Sequence, residues 1–283
     1  MIRVALGAVC ISFAPALVNW IGVGPTLVAL FRTGLAVLIL VPWVLVTRRN
    51  AVRTIPRTAL LFVALAGLAF AIDLSAWHRS VRYAGTGLGT ILANTQVFYL
   101  SALGIVLFRE AVTRRFLAAV VLAVVGLVLL AGVRPSWADP DLYAVGVMYG
   151  VLTGAAYSCY ILSLERAQRA HPALGAPGTL AGALVSATLF LGPMAVAAGE
   201  IEIPGTRDLL LLVVLALGPQ IVGWLLIVRG LQTAPVSRAG LILLAQPALA
   251  TVWGALFFGE VLTARQAAGA VLTLGAIALG SRR

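Results

Sequence analysis

The chain has 283 residues, 61% hydrophobic and only 10% charged, with a mean hydropathy of +1.06; a soluble domain is about 45–50% apolar and about 25% charged, so lipid must solvate most of this surface. Its net charge of +11 comes from arginine alone, because the sequence contains no lysine, and that excludes a Walker-A ATPase and lysine Schiff-base chemistry. The arginines lie in short loops between apolar runs, where they read as topology determinants beside anionic headgroups rather than as a nucleic-acid surface.

Ten apolar runs come close to the roughly 20 residues a helix needs to cross a bilayer. The first, 4–22, carries Ser12, Asn19 and Trp20. Its Ala14-Pro15-Ala16 imitates a signal-cleavage site, but the proline and the runs behind it favour an uncleaved helix. The second, 26–47, holds Arg32. In the third, 57–79, Asp73 and Trp77 are four apart and share a helix face, with His78 adjacent. The fourth, 85–108, offers Asn94, Gln96 and Tyr99, and the fifth is 115–133. Thr153, Tyr157 and Tyr160 form one stripe of the sixth, 142–164, and the seventh is 174–198. The eighth, 207–229, supplies Gln220 and Trp224; the ninth, 236–258, Gln246 and Trp253; the tenth is 266–281. Cys10 and Cys159 lie within apolar runs and read as buried, inert thiols.

Assigning loops to alternate sides places fourteen arginines on one side and five on the other, with Arg32 inside a span. The positive-inside rule then puts both termini in the cytoplasm, which an even number of spans requires.

Sliding the chain against itself by 150 residues reveals a repeat: between 79 and 129 twelve of fifty-one positions are identical. They include Arg79/Arg229, Gln96/Gln246, Gly104/Gly254, Glu110/Glu260 and Thr113/Thr263, which chance matching of Ala- and Leu-rich helices does not readily supply. The halves, 1–133 and 142–283, hold five spans each. An odd number sets them in opposite orientation, an inverted repeat of the kind that places a transporter's site near the midplane. The expected fold is therefore an all-α polytopic membrane protein of ten transmembrane helices in two inverted five-helix repeats.

Phe31-Arg32-Thr33 early in the second span, a fourth span closing on Glu110, Gln246-Pro247 in the ninth, then Phe258-Gly259-Glu260 and Gly269, together resemble the EamA family of the drug/metabolite transporter superfamily. The resemblance covers nearly the whole chain and is nearest to that family's amino-acid exporters. It implies export of amino acids or related metabolites across the inner membrane, with no bound cofactor. The first half departs from the pattern: Val97 stands where Pro247 falls in the second, and Arg109 replaces the glycine before Glu110.

Polar and aromatic residues within the spans are the candidates for a substrate-binding wall around a central cavity: Asn19, Trp20, Asp73, Trp77, His78, Asn94, Tyr99, Tyr157, Gln220, Trp224 and Gln246. Each has a structural alternative. The amides can join helices, and Trp20 and Trp77 can belong to an interfacial aromatic belt. Asp73 is the only acidic residue deep in a run, so either it forms a structural pair with Arg32 or the two meet the charged ends of a zwitterionic substrate. Glu110 and Glu260 at span ends read as anchors or gate elements. The leading expectation is an alternating-access exporter of small molecules, a monomer or weak dimer in lipid that binds no metal and no nucleic acid. A multidrug or cation exporter using Asp73 and the tryptophans is the alternative. Intramembrane proteolysis is disfavoured, because an aspartyl dyad needs two neighbouring carboxylates and His78 lacks HExxH spacing.

Overall fold

In hydrocarbon every backbone N–H and C=O needs an internal partner, so apolar runs of this length fold as helices. A computed structural model describes residues 1–84, 86–110, 113–131, 140–258 and 263–281, and among these every regular element is helical. The elements are α1 (Ile2–Ile11), α2 (Ala14–Trp20), α3 (Pro25–Thr47), α4 (Arg49–Arg53), α5 (Arg57–Ala84), α6 (Thr86–Ala93), α7 (Gln96–Phe108), α8 (Arg114–Ala131) and α9 (Pro140–Ala170). A 3-10 turn (Pro172–Leu174) leads into α10 (Gly175–Ala197). Then come α11 (Thr206–Leu215), a π-helical segment (Ala216–Gly223), α12 (Trp224–Leu231), α13 (Val236–Leu243), α14 (Ala245–Phe258) and α15 (Ala264–Ser281).

Seven helical stretches are long and apolar enough to cross a membrane, and they coincide with the second, third, fourth, sixth, seventh, eighth and ninth expected spans. The first and tenth are shorter apolar helices, Ile2–Val18 and Ala264–Gly280, and the fifth is the 18-residue α8. Two helices outrun their expected ends: α5 continues to Ala84 and α9 to Ala170, because polar last turns remain helical after the apolar run stops. Cys159 is exposed and Cys10 half-buried, which corrects the reading of both as buried thiols; an apolar run leaves its outward face to lipid.

Helix boundaries recur at an offset of 150: α3 (25–47) against α10 (175–197), α6 (86–93) against α13 (236–243), α8 (114–131) against α15 (264–281). The fourth and ninth spans break at matching places by different chemistry. Pro247 has no N–H for the Leu243 carbonyl, and Leu244 N–H turns to Leu241 O at 3.2 Å. In the first half, with Val97 in place of proline, the Thr95 hydroxyl takes the Leu92 carbonyl at 2.6 Å.

Counterpart helices also touch. α3 packs on α10 and α8 on α15, while α7 of the fourth span packs on α13 of the ninth. Along the α8–α15 contact one chain number rises as the other falls: Gly280 meets Ala119, Thr273 Oγ1 donates to Ala123 O at 3.5 Å, and Gly269 meets Gly126 and Leu130. The two helices are antiparallel. A Cβ on Gly126 would lie 2.3 Å from Thr273 Oγ1 and one on Gly269 2.6 Å from Gly126 O, so glycine is what lets these backbones approach.

Carboxylates cap two helix starts from a distance in sequence. Glu110 accepts Val236 N–H at 2.7 Å and Ser237 N–H at 3.2 Å, with the Ser237 hydroxyl as a third donor. Arg109 takes a left-handed φ of 51° to aim it there. Glu200 accepts Thr26 N–H at 2.6 Å and Leu27 N–H at 3.3 Å at the start of α3. Glu110 thus ties the end of the fourth span to the start of α13; Glu260, Arg282 and Arg283 lie outside the described residues.

Candidate functional site

The polar centre of the bundle is built by α3, α5, α9 and the π-helical segment. Arg32, two turns into α3, is buried, and its Nε donates to Gln220 Oε1 at 2.8 Å. Its Cζ lies 5.9 Å from the Phe70 ring centroid. Gln220 gets there because Pro219 cannot donate to the carbonyl four residues back, and the widened turn aims the amide inward. Among the described residues Nε is the only guanidinium nitrogen of Arg32 with a hydrogen bond.

Trp224 follows directly at the start of α12 and is 2% exposed. Its indole meets three rings edge-on: Tyr160 at 4.6 Å, Phe70 at 5.8 Å and Tyr157 at 6.0 Å between centroids. Phe70 stacks on Tyr160 at 4.5 Å. Gln246 Nε2 donates to the Tyr157 hydroxyl at 3.1 Å, tying the ninth span to this group.

Asp73 lies one turn along α5 from Phe70. It is half-buried and makes neither a hydrogen bond nor an ion pair within 4 Å among the described residues. Arg32 and Asp73 remain within electrostatic reach of each other and of the Tyr157 and Tyr160 phenols. The structural Arg32–Asp73 pair is therefore not formed; glutamine holds the guanidinium and leaves the carboxylate uncommitted. Two further dipoles are idle, since Gln220 Nε2 and the Tyr160 hydroxyl are buried without a hydrogen-bond partner among the described residues. An arginine, a free carboxylate and two unspent dipoles beside an aromatic wall suit a small molecule carrying both charges.

Tyr160 and Gln220 are fully buried, whereas Asp73, Tyr157 and Gln246 keep partial exposure.

Of the eleven residues expected in the wall, Asp73, Tyr157, Gln220, Trp224 and Gln246 fall in or beside this cluster. Trp77 and His78 pack edge-on at 4.8 Å, and His78 Nδ1 is spent on Leu74 O at 2.6 Å within α5. Asn94 occupies the break between α6 and α7, where its carbonyl accepts Val97 N–H at 3.3 Å. Tyr99 is half-buried on α7, and Trp20 is 44% exposed at the end of α2, consistent with an interfacial place. The Asn19 side chain lies outside the described ones. Gln96 donates to Gly240 O at 3.3 Å and serves as helix–helix glue, and Trp253 donates to Ser12 at 2.7 Å. Phe70 was missed, since a phenylalanine in an apolar run carries no signal; its spacing three residues before Asp73 was the only hint.

The family model described as EamA-like transporter family matches residues 1–132 and 144–282. Among curated proteins, the threonine/homoserine exporter RhtA of Escherichia coli strain K12, and its copies in strains CFT073 and O157:H7, are 35% identical over 163 residues. That stretch is 57% of this chain and 52% of each relative, so the chain spans about half the length of the curated relatives it matches. One solved crystal structure aligns over 98% of this chain and 95% of its own with a TM-score of 0.83 at 17% identity, a likeness of fold alone.

Proposed function

Because the chain belongs to the EamA-like transporter family, and is by that membership a multi-pass membrane transporter rather than an enzyme, we propose that it exports amino acids or related small metabolites across the inner membrane by alternating access. The observation that carries this reading is the central cluster: Arg32 clasped by Gln220 offers its remaining guanidinium nitrogens to a carboxylate, and Asp73, without a partner among the described residues, offers a seat for an ammonium. Arg32 weighs against the multidrug or cation reading, because a cation has no use for a buried guanidinium. The match to a threonine/homoserine exporter supports small neutral amino acids as the first substrates to try.

The architecture that goes with this mechanism is ten spanning helices in two inverted repeats, 1–133 and 142–283, with both termini cytoplasmic. The constant offset of helix boundaries supports it, and so does the geometry of counterpart contacts. A two-fold axis along the membrane normal would set touching counterparts parallel, whereas an axis in the membrane plane sets them antiparallel, as α8 and α15 are. The symmetry lapses at the site: 150 residues on from Arg32 and Asp73 stand Gly182 and Gly223, so both charges belong to the first half. In the transport cycle the halves rock about this cluster.

Purified protein in proteoliposomes preloaded with unlabelled threonine should accumulate labelled threonine or homoserine by counterflow. Failure with every amino acid class, in vesicles that accumulate an organic cation instead, would transfer the assignment to the alternative.

A further inference from the structure

Away from this cluster, an apolar groove of about 160 Å³ opens between α3, α5 and α10 near the end of α3. Val41, Val44, Val63, Leu174 and Val185 line it, and exposed Leu45 and Leu60 form its rim. Directly beyond, a second cavity of about 340 Å³ is lined by Val46 to Ala51 and Ala173, with Arg48 and Arg49 in its wall. The two are consecutive along the chain on both sides, Leu45 to Val46 and Leu174 to Ala173. The wall is tied in place: Arg48 Nη1 donates to Ala173 O at 3.3 Å, and the His171 ring bonds Ala51 O at 3.0 Å. No acidic residue occurs in 41–72 or 170–199, and the ion pairs among the described residues are those of Glu165 with Arg166 and Arg169. Arg48 and Arg49 thus stand at the mouth of an apolar groove, without a carboxylate partner among the described residues.

The geometry points to a binding site for one anionic glycerophospholipid, an acyl chain lying in the groove and its phosphate on Arg48 and Arg49. Neither half suffices alone. A headgroup surface needs no groove, and a gap filled only by neutral lipid needs no arginines at its mouth. The site is independent of the transported substrate, so it stands or falls apart from the exporter reading.

Native mass spectrometry of the full chain in detergent tests it, with dioleoylphosphatidylglycerol, dioleoylphosphatidylcholine and tail-less glycerophosphoglycerol as probes. Phosphatidylglycerol should be retained most tightly and glycerophosphoglycerol not at all. R48Q/R49Q should weaken phosphatidylglycerol about fivefold per arginine removed, the weight of one basic side chain at an anionic surface. R114Q/R115Q, an equal loss of charge elsewhere, should leave it unchanged, and V185F should weaken both lipids by filling the groove. Equal effects from the two arginine pairs would overturn the site in favour of diffuse attraction. Glycerophosphoglycerol binding as well as the lipid would overturn the role of the groove, a result read on the unaltered protein whether or not any variant folds.

Discussion

Gln220 is the residue whose replacement separates positioning from packing. Gln220→Leu keeps side-chain bulk but removes the acceptor 2.8 Å from Arg32 Nε. A hydrogen bond to a charged group is worth about 1.5–3 kcal/mol, yet the wild-type amide also buries an unpartnered Nε2, whose removal returns about 1–3 kcal/mol. Removing the acceptor also leaves the buried Arg32 Nε unsatisfied, about 3–5 kcal/mol for a charged group, so Gln220→Leu should be destabilised by about 2 kcal/mol. Gln220→Glu places a formal charge at the same spot. At an effective dielectric of about 20 its attraction to Arg32 across this distance is roughly 6 kcal/mol. Desolvation takes back several kcal/mol, leaving on the order of 2 kcal/mol against a competing substrate carboxylate. At 1.4 kcal/mol per decade that is about a thirtyfold loss of apparent affinity. The assay is counterflow of labelled threonine at matched reconstitution, beside the amine that remains when its carboxylate is removed. Threonine should fall about thirtyfold in Gln220→Glu and the amine should not fall. Unchanged threonine transport, or equal loss of both compounds, would refute Arg32 as the carboxylate seat.

Asp73→Asn should leave folded yield intact, since the carboxylate has no partner to lose among the described residues, while transport of zwitterions drops relative to uncharged analogues; a fall in yield with unaltered selectivity would mark Asp73 as structural. Arg109→Gly should raise the melting temperature in detergent by relieving a left-handed φ that costs about 1–2 kcal/mol, less the extra freedom glycine has when unfolded; a lower melting temperature would show that the Arg109 side chain holds more than its backbone loses. Gly126→Leu should abolish folded yield by wedging α8 from α15, whereas Gly275→Leu on α15, with nothing within 4 Å of its Cβ, should be tolerated; equal tolerance would mean the crossing is not close. In a background lacking Cys10 and Cys159, single cysteines at Arg53 and at the exposed Ile203 should label from opposite faces of intact cells; labelling of both from outside would reverse or break the topology.

Membrane solvation made most of this fold legible, because hydropathy and length alone place helices where backbone groups cannot go unpaired. The 150-residue recurrence of helix boundaries was foreshadowed by polar identities such as Gln96/Gln246 and Glu110/Glu260. What the sequence hid is local. Pro219 announced an irregular turn but not that the turn would hand Gln220 to Arg32. Arg32 and Asp73 were predictable as residents of similar depth, yet whether they touch depends on helix rotation, which spacing within one helix does not encode. Phe70 belongs to the site only because Tyr160 and Trp224 arrive from other helices. Conversely, His78 looked like a ligand, yet its Nδ1 is taken by the Leu74 carbonyl of its own helix, since a polar side chain in lipid takes the nearest carbonyl or N–H available.

The most direct test of the account is competition against labelled-threonine counterflow by a matched set: a zwitterionic amino acid, its amine without carboxylate, and its acid without amine. A site with Arg32 at one end and Asp73 at the other predicts strong competition by the zwitterion and weak competition by either half. Competition by the amine alone as strong as by the zwitterion would contradict it, because Arg32 would then have no part in recognition.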